Sequence, residues 1–281
     1  MDGKFQNPLQ ITKLQNKKKL IEFLDFLKPA PETAYAQIHA NGEVGEDGKK
    51  QYSRIRINIA DYSKGTGDDL RSAIFNLEPE TVRWLYEASK NEIQRWNTYK
   101  ALMPYYEAME AIAEKVNTAI VGVNYNKAFF SSKERLGTAT APLCGTPEFK
   151  PLVYSKDKIF PTGQKDKSGR CPMNRLTITR MPIDAAKGEE RKAPWIITID
   201  NGVAVAVSNE MGGSYAKSGS FMSAGGSVTF VATDEDWLSS LGKVVAFIEC
   251  FETAYCCRAI KNGRAAAQEA YKQRQENNSE R

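Results

Sequence analysis

The chain has 281 residues, 41% of them hydrophobic and 26% charged, with 39 Lys and Arg against 34 Asp and Glu for a formal net charge of +5. That length buries a sizeable core, and the composition excludes both a fibrous architecture and wholesale disorder. No run of eighteen apolar residues occurs and Met1–Pro8 lacks the apolar stretch of a secretory leader, so a cytoplasmic protein without a membrane partner is expected.

Five cysteines without a C-x-x-C pair argue against a disulfide framework and against a zinc site. The single histidine, His39, excludes every scheme that needs two imidazoles, and no G-x-S-x-G elbow accompanies it. Gly212–Ser218 lacks the glycine that a phosphate loop needs before its lysine, where Ala216 stands. The acids of Asp234–Asp236 read as a helix cap and Asp68-Asp69 as a loop. A non-catalytic protein without a cofactor or metal is the expectation.

In chain order, residues 1–29 form a basic N-terminal segment, in which Leu20, Ile21, Phe23, Leu24, Phe26 and Leu27 predict a short amphipathic helix ended by Pro29. Ala34–Ala40 and Gln51–Tyr62 read as strands, followed by a third over Arg71–Leu77. Glu78-Pro79-Glu80 then opens a helix burying Val82, Leu85, Tyr86, Ile93 and Trp96, and a further helix follows Pro104 with Tyr105 inward. Residues 118–172, rich in proline and glycine, form a long connection with short extended pieces. Strands resume at Asn174–Met181 and Trp195–Ile199, and Asp200-Asn201-Gly202 predicts a tight hairpin returning through Val203–Val207. Ser227–Ala232 leads into a capping box at Thr233–Asp236 and a helix presenting Trp237, Leu241, Val244 and Ile248, with Gln275–Arg281 as a frayed tail.

Ala73–Leu85 and Val228–Leu238 follow one plan, a strand, an acidic cap and an aromatic-led helix. The fold class expected is therefore α+β, with two repeats of antiparallel strands followed by a capped helix, over residues 30–117 and 173–274. Arg56-Ile57-Asn58-Ile59-Ala60-Asp61-Tyr62, the loop Ser63–Leu70 and Ala73–Leu85 resemble, in order and spacing, the single-stranded-DNA-binding fold of the transcriptional positive coactivators and the plant Whirly proteins. The resemblance is clearest over residues 34–96. Glu78 at the cap and Ser63 at the second place of the aromatic pair depart from the coactivator pattern. Two units in one chain would be a Whirly-like arrangement, and the resemblance implies a fold that tends to assemble into homo-oligomers.

Period-2 alternation puts Ile55, Ile57 and Ile59 on one face and Tyr52, Arg54, Arg56 and Asn58 on the other. Guanidinium groups beside aromatic rings are what an unpaired strand needs, for phosphates and for base stacking. The candidate nucleic-acid-binding residues are Tyr35, Lys50, Tyr52, Arg54, Arg56, Tyr62, Lys64 and Arg71 in the first half. In the second half they are Arg175, Thr177, Arg180, Lys192, Trp195, Tyr215, Lys217 and Phe221. The partner expected is single-stranded DNA, bound largely without regard to sequence, as in a mobile element or phage; RNA, or a protein gripped by the same sheets, are the alternatives.

Overall fold

The computed structural model describes residues 8–31, 36–63, 65, 70–119, 149–208 and 213–279, with the side chains of 106, 109–119, 278 and 279 left aside. It is an α+β structure of antiparallel sheets and two long helices, in two compact units, residues 1–89 with 153–281 and residues 90–152.

The first unit begins with a hairpin, β1 (Gln10–Gln15) and β2 (Lys19–Phe26), where a helix was expected. Asn16 decides it: its Oδ1 accepts the Lys18 and Lys19 amides at 3.0 and 2.8 Å, which closes a turn. Ile21 and Phe23 are fully buried on one face, while Leu20, Leu24 and Phe26 lie half-buried on the other, so the apolar run is split across a sheet. Ala36–Ala40 is likewise no strand; it is irregular apart from a bridge between Pro29 and His39.

Strands β3 (Asn41–Val44) and β4 (Lys50–Tyr52) make a small hairpin. Ser53 separates β4 from β5 (Arg54–Asp61), and β6 (Arg71–Leu77) completes a four-stranded antiparallel meander, β1-β2-β5-β6. Phe23, Ile57 and Phe75 align across its inner face, as do Ile21, Ile59 and Ala73. Strand β6 runs directly into helix α1 (Pro79–Ala119), where Val82 and Leu85 are fully buried. This single helix continues through Pro104, and Tyr105 is 70% exposed, so there is neither a separate second helix nor an inward Tyr105.

The same unit carries a second meander: β7 (Val153–Ile159), β8 (Cys171–Arg180), β11 (Trp195–Ala204) and β15 (Val228–Ala232), each antiparallel to the next. Short pairs β9 (Ile183–Asp184) with β10 (Glu189–Glu190) and β12 (Ala206–Ser208) with β13 (Ser214–Ala216) decorate its loops. Strand β11 runs straight through Asp200-Asn201-Gly202, so the expected hairpin turn does not exist. Gly202 serves a different end: strand β14 (Met222–Ser223) crosses it so closely that a Cβ there would lie 2.3 Å from the Met222 carbonyl oxygen.

Rows Leu176–Ile199–Val228 and Ile178–Ile197–Phe230 fill the inner face of this sheet. Helix α2 (Asp234–Ser279) follows β15, and the Thr233 hydroxyl accepts the Asp236 amide at 3.1 Å, the expected cap. Its buried positions Trp237, Leu241, Val244 and Ile248 keep the helical period. The helix continues to Ser279, through most of the tail expected to fray. Trp237 is the meeting point of the core: its ring centroid lies 6.2 Å from Phe23 and 5.7 Å from Trp195, and its Nε1 donates to Ser89 Oγ at 3.0 Å.

In the second unit, the distal part of α1 stacks Trp96 on Tyr99 and sets it edge-on to Phe149, with centroids 5.6 and 5.0 Å away, and Glu92 accepts the Leu152 amide. Among the described residues no helix is long and apolar enough to cross a membrane.

Candidate nucleic-acid interface

With Ile55, Ile57 and Ile59 committed inward, strand geometry turns Arg54, Arg56 and Asn58 to the outer face of the first sheet. Each arginine finds an aromatic ring. The Arg54 guanidinium carbon stands 5.0 Å above the Tyr52 ring centre, and that of Arg56 stands 3.8 Å above Phe26. Arg56 Nε also donates to Asn76 Oδ1 at 3.0 Å. The Tyr52 ring rests on Gly42, whose φ is +105° and whose missing Cβ would lie 3.3 Å from it.

These groups open on a groove of about 460 Å³. Lys28, Lys50, Arg54 and Lys158 supply its charge, Phe26 and Tyr52 its rings, and Asn76 an amide. Tyr52 is 43% exposed, enough to offer ring surface. Lys28 follows β2, Lys50 begins β4, Asn76 lies on β6 and Lys158 on β7, so the groove gathers residues from both meanders.

A hydrogen-bond relay runs from Ser53, the residue between Tyr52 and Arg54 of the groove, to α2. Ser53, between Tyr52 and Arg54, accepts the Lys28 amide on its Oγ at 3.0 Å and meets His39 Nδ1 at 2.9 Å. His39 Nε2 reaches Glu252 of α2 at 2.9 Å, and its ring lies parallel to Phe251 with centroids 5.2 Å apart. The serine-histidine-carboxylate order superficially matches a hydrolytic triad. Ser53 is 0% exposed and its hydroxyl is already engaged, so the relay ends in the core.

The electrostatics favour an anion. Glu78, beside Arg54, is neutralised: Lys156 bonds it and Arg54 stands 3.7 Å away. Burial pulls the Glu78 carboxyl up, but its bond to Lys156 and the charges of Lys156 and Arg54 bring it below the usual range. Burial foremost, then the charge of Arg54, lowers the Lys158 ammonium, and burial lowers the Arg56 guanidinium. Cations crowded in a partly desolvated groove bind phosphate with less loss of hydration than free side chains do.

Of the residues expected to bind, the groove unites Lys50, Tyr52 and Arg54, with Arg56 beside them. Tyr62 and Arg71 lie at the far end of β5 and β6, about 23 Å along the strand from Arg54 at 3.3 Å per residue. On the second sheet's outer face Arg175 forms a two-bond pair with Asp157 at 2.7 and 2.9 Å, and its guanidinium lies 4.3 Å above Phe221. Thr177 stands in a hydroxyl row with Ser155, Thr198 and Thr229. Lys192, Tyr215 and Lys217 are exposed on loops or on β13.

Two expected residues are removed from any binding face. Arg180 is 1% and Trp195 0% exposed. The Arg180 guanidinium donates to both Asp234 oxygens at 2.9 and 2.8 Å, and Trp195 Nε1 donates to the same carboxylate at 2.7 Å. They hold the start of α2 to the sheet. Tyr35 and Lys64 lie outside the described residues. Phe26, Lys28, Asn76 and Lys158 were missed: the first two sat in the misread helix, and Lys158 in the presumed connection. Lys156-Asp157-Lys158 inside a β-alternating run was the available signal.

No protein-family model, no curated protein and no solved structure matches the chain.

Proposed function

We propose that this chain binds single-stranded DNA, largely without regard to sequence and without catalysing a reaction, through the basic and aromatic groove and the adjoining outer face of the first sheet. The observation that carries the reading is the clustering of Lys28, Lys50, Arg54 and Lys158 around Phe26 and Tyr52 in one groove. Cations take the phosphates and rings take the bases, and stacking on an aromatic side chain contributes roughly 1–3 kcal/mol per base. An open groove of this kind suits a flexible unpaired strand better than a duplex, which is normally read by a helix or ribbon inserted into its major groove.

The two meanders, each passing into a long helix, support a tandem repeat of the coactivator and Whirly type. The Arg175–Phe221 pair, the hydroxyl row and the exposed Tyr215 and Lys217 offer that strand a second contact region.

The test is fluorescence anisotropy of the full chain with labelled oligo-dT, the matching RNA and a duplex over a salt series. Oligo-dT is expected to bind more tightly than the duplex, with an affinity that falls steeply as salt rises. Absence of binding to every single strand at low salt would overturn the reading and favour a protein partner for the same groove. Equal or tighter binding of the RNA would move the assignment to RNA.

A further inference from the structure

Resting on the single-strand reading, we infer that the seam between β7 and the start of α1 carries a second base-stacking station, Trp84 packed on Tyr154, and that a strand seated in the groove runs along β7 to reach it. The chain has four tryptophans. Trp195 and Trp237 are 0% exposed and Trp96 3%, whereas Trp84 is 50% exposed, on the side of α1 turned away from the buried Val82 and Leu85. Its ring is braced. The centroid lies 5.2 Å from that of Tyr154, and Tyr154 stands in register with Ile178, Ile197 and Phe230, the row that fills the inner face of the second sheet. A ring held in this way has little side-chain freedom left to lose when a base lands on it.

Strand β7 connects this pair to the groove. Tyr154, Lys156 and Lys158 alternate onto one side of the strand, and their contacts follow that order. Tyr154 meets Trp84, Lys156 donates to Glu78 and lies 3.4 Å from Thr81 Oγ1, and Lys158 lines the groove. From Lys158 to Tyr154 is about 13 Å at roughly 3.3 Å per residue, which a stacked single strand covers in about four nucleotides at roughly 3.4 Å each. Lys156 is spent on Glu78 and Arg83 on Glu252, so the station adds stacking without a cation of its own. At about 100° per residue, Glu80 and Glu87 lie to one side of Trp84 and Thr81 to the other. Because Thr81 meets Lys156, the two acids stand away from β7 and keep phosphates on the β7 side.

The experiment follows tryptophan emission of the full chain as a twelve-nucleotide oligo-dT is added, beside anisotropy of the same oligomer carrying a label. Emission is expected to fall with the dissociation constant that anisotropy gives, and W84F to abolish the fall, because the remaining indoles are buried. W84A is expected to bind about fivefold or more weakly, with the salt slope and the thermal midpoint unchanged. W84F, which keeps a smaller ring, should fall between W84A and wild type. Binding with unaltered emission, a fall in emission that persists in W84F, or wild-type affinity in folded W84A would each overturn the station and leave single-strand binding in place. No binding of the oligomer would overturn both. Should W84A fail to fold, emission and affinity of W84F decide, and wild-type values of both overturn the station.

Discussion

Asp234 accepts from Nε and Nη2 of the Arg180 guanidinium at 2.9 and 2.8 Å, although Arg180 comes from β8 and Asp234 opens α2. The pair is lopsided: the Arg180 side chain is 2% exposed and that of Asp234 is 35% exposed. The two truncations should therefore differ. Asp234→Ala leaves a guanidinium in the core without these bonds and is expected to cost about 3 kcal/mol. Arg180→Ala leaves a carboxylate that keeps the Trp195 bond and is open to water, and should cost less despite the larger volume removed. Urea denaturation orders the two variants. Single-strand affinity well below the unfolding midpoint should stay within twofold of wild type in both, because neither residue faces a ligand.

The groove variants should separate charge from stacking. For single strands the logarithm of affinity falls with that of salt at a slope of about −0.7 per neutralised phosphate. Lys50→Ala and Lys158→Ala are each expected to reduce that slope by about 0.7. Tyr52→Ala should weaken binding by roughly 1–3 kcal/mol with the slope unchanged, because a ring carries no charge. Anisotropy titrations at four salt concentrations distinguish these patterns.

Gly202 sits in mid-strand beneath β14, and a methyl group there lies 2.3 Å from a backbone oxygen. Gly202→Ala is expected to cost about 1–3 kcal/mol by forcing that crossing segment away. The displacement also carries Phe221, whose ring atoms lie 2.7 Å from the same point, off Arg175. Thermal denaturation reads the first effect, and protection of the 221–223 amides from hydrogen exchange reads the second.

Stability should decline on the acid side. Asp61 is held down to about 2, first by its bonds to Ser63 and then by Lys19, 3.3 Å away. Glu252 is below its usual range as well: burial opposes this, but bonds from Arg83 and His39 prevail, and Glu78 behaves alike with Lys156. A carboxylate with a depressed folded-state pKa contributes its full stabilisation above the unfolded value, and loses it as pH falls toward the folded one. The urea midpoint is therefore expected to be level above about pH 5 and to drop from there toward pH 2. Asp61→Asn should flatten the lower part of that decline, between about pH 4 and pH 2.

Much of the inner architecture was legible in the residues. The Ile55, Ile57, Ile59 alternation, the strand Arg71–Leu77, the Pro79 helix start and the Thr233 cap stand where local rules put them, because one-sided burial writes its period into the chain. What was not legible depends on partners distant in sequence. Leu20–Leu27 satisfies a helical period, yet Leu20–Phe26 pairs with β5 as a strand, which divides its apolar residues between the two faces of a sheet. Asn201-Gly202 has turn chemistry, but its glycine answers to a strand about twenty residues downstream. Arg180 and Trp195 look like surface ligands until Asp234 is placed beside them. The groove was half visible: Tyr52, Arg54 and Arg56 follow from one alternating run of residues, whereas Lys28 and Lys158 join them only through tertiary folding.

Lys19 Nζ donates to the Thr229 carbonyl at 2.8 Å across 210 residues of sequence, and Trp237 packs on Phe23 across a similar span. Closing so long a loop is thermodynamically mild, since each doubling of length adds only about 0.6 kcal/mol. Its consequence is kinetic. The core forms only when both ends of the chain have met, so folding should run on the millisecond-to-second scale of proteins dominated by non-local strand pairing. During synthesis, the first meander, complete at Leu77, emerges and waits, its inner isoleucines and phenylalanines uncovered, until Trp237 leaves the ribosome, an interval of roughly 8–32 seconds at about 5–20 residues per second.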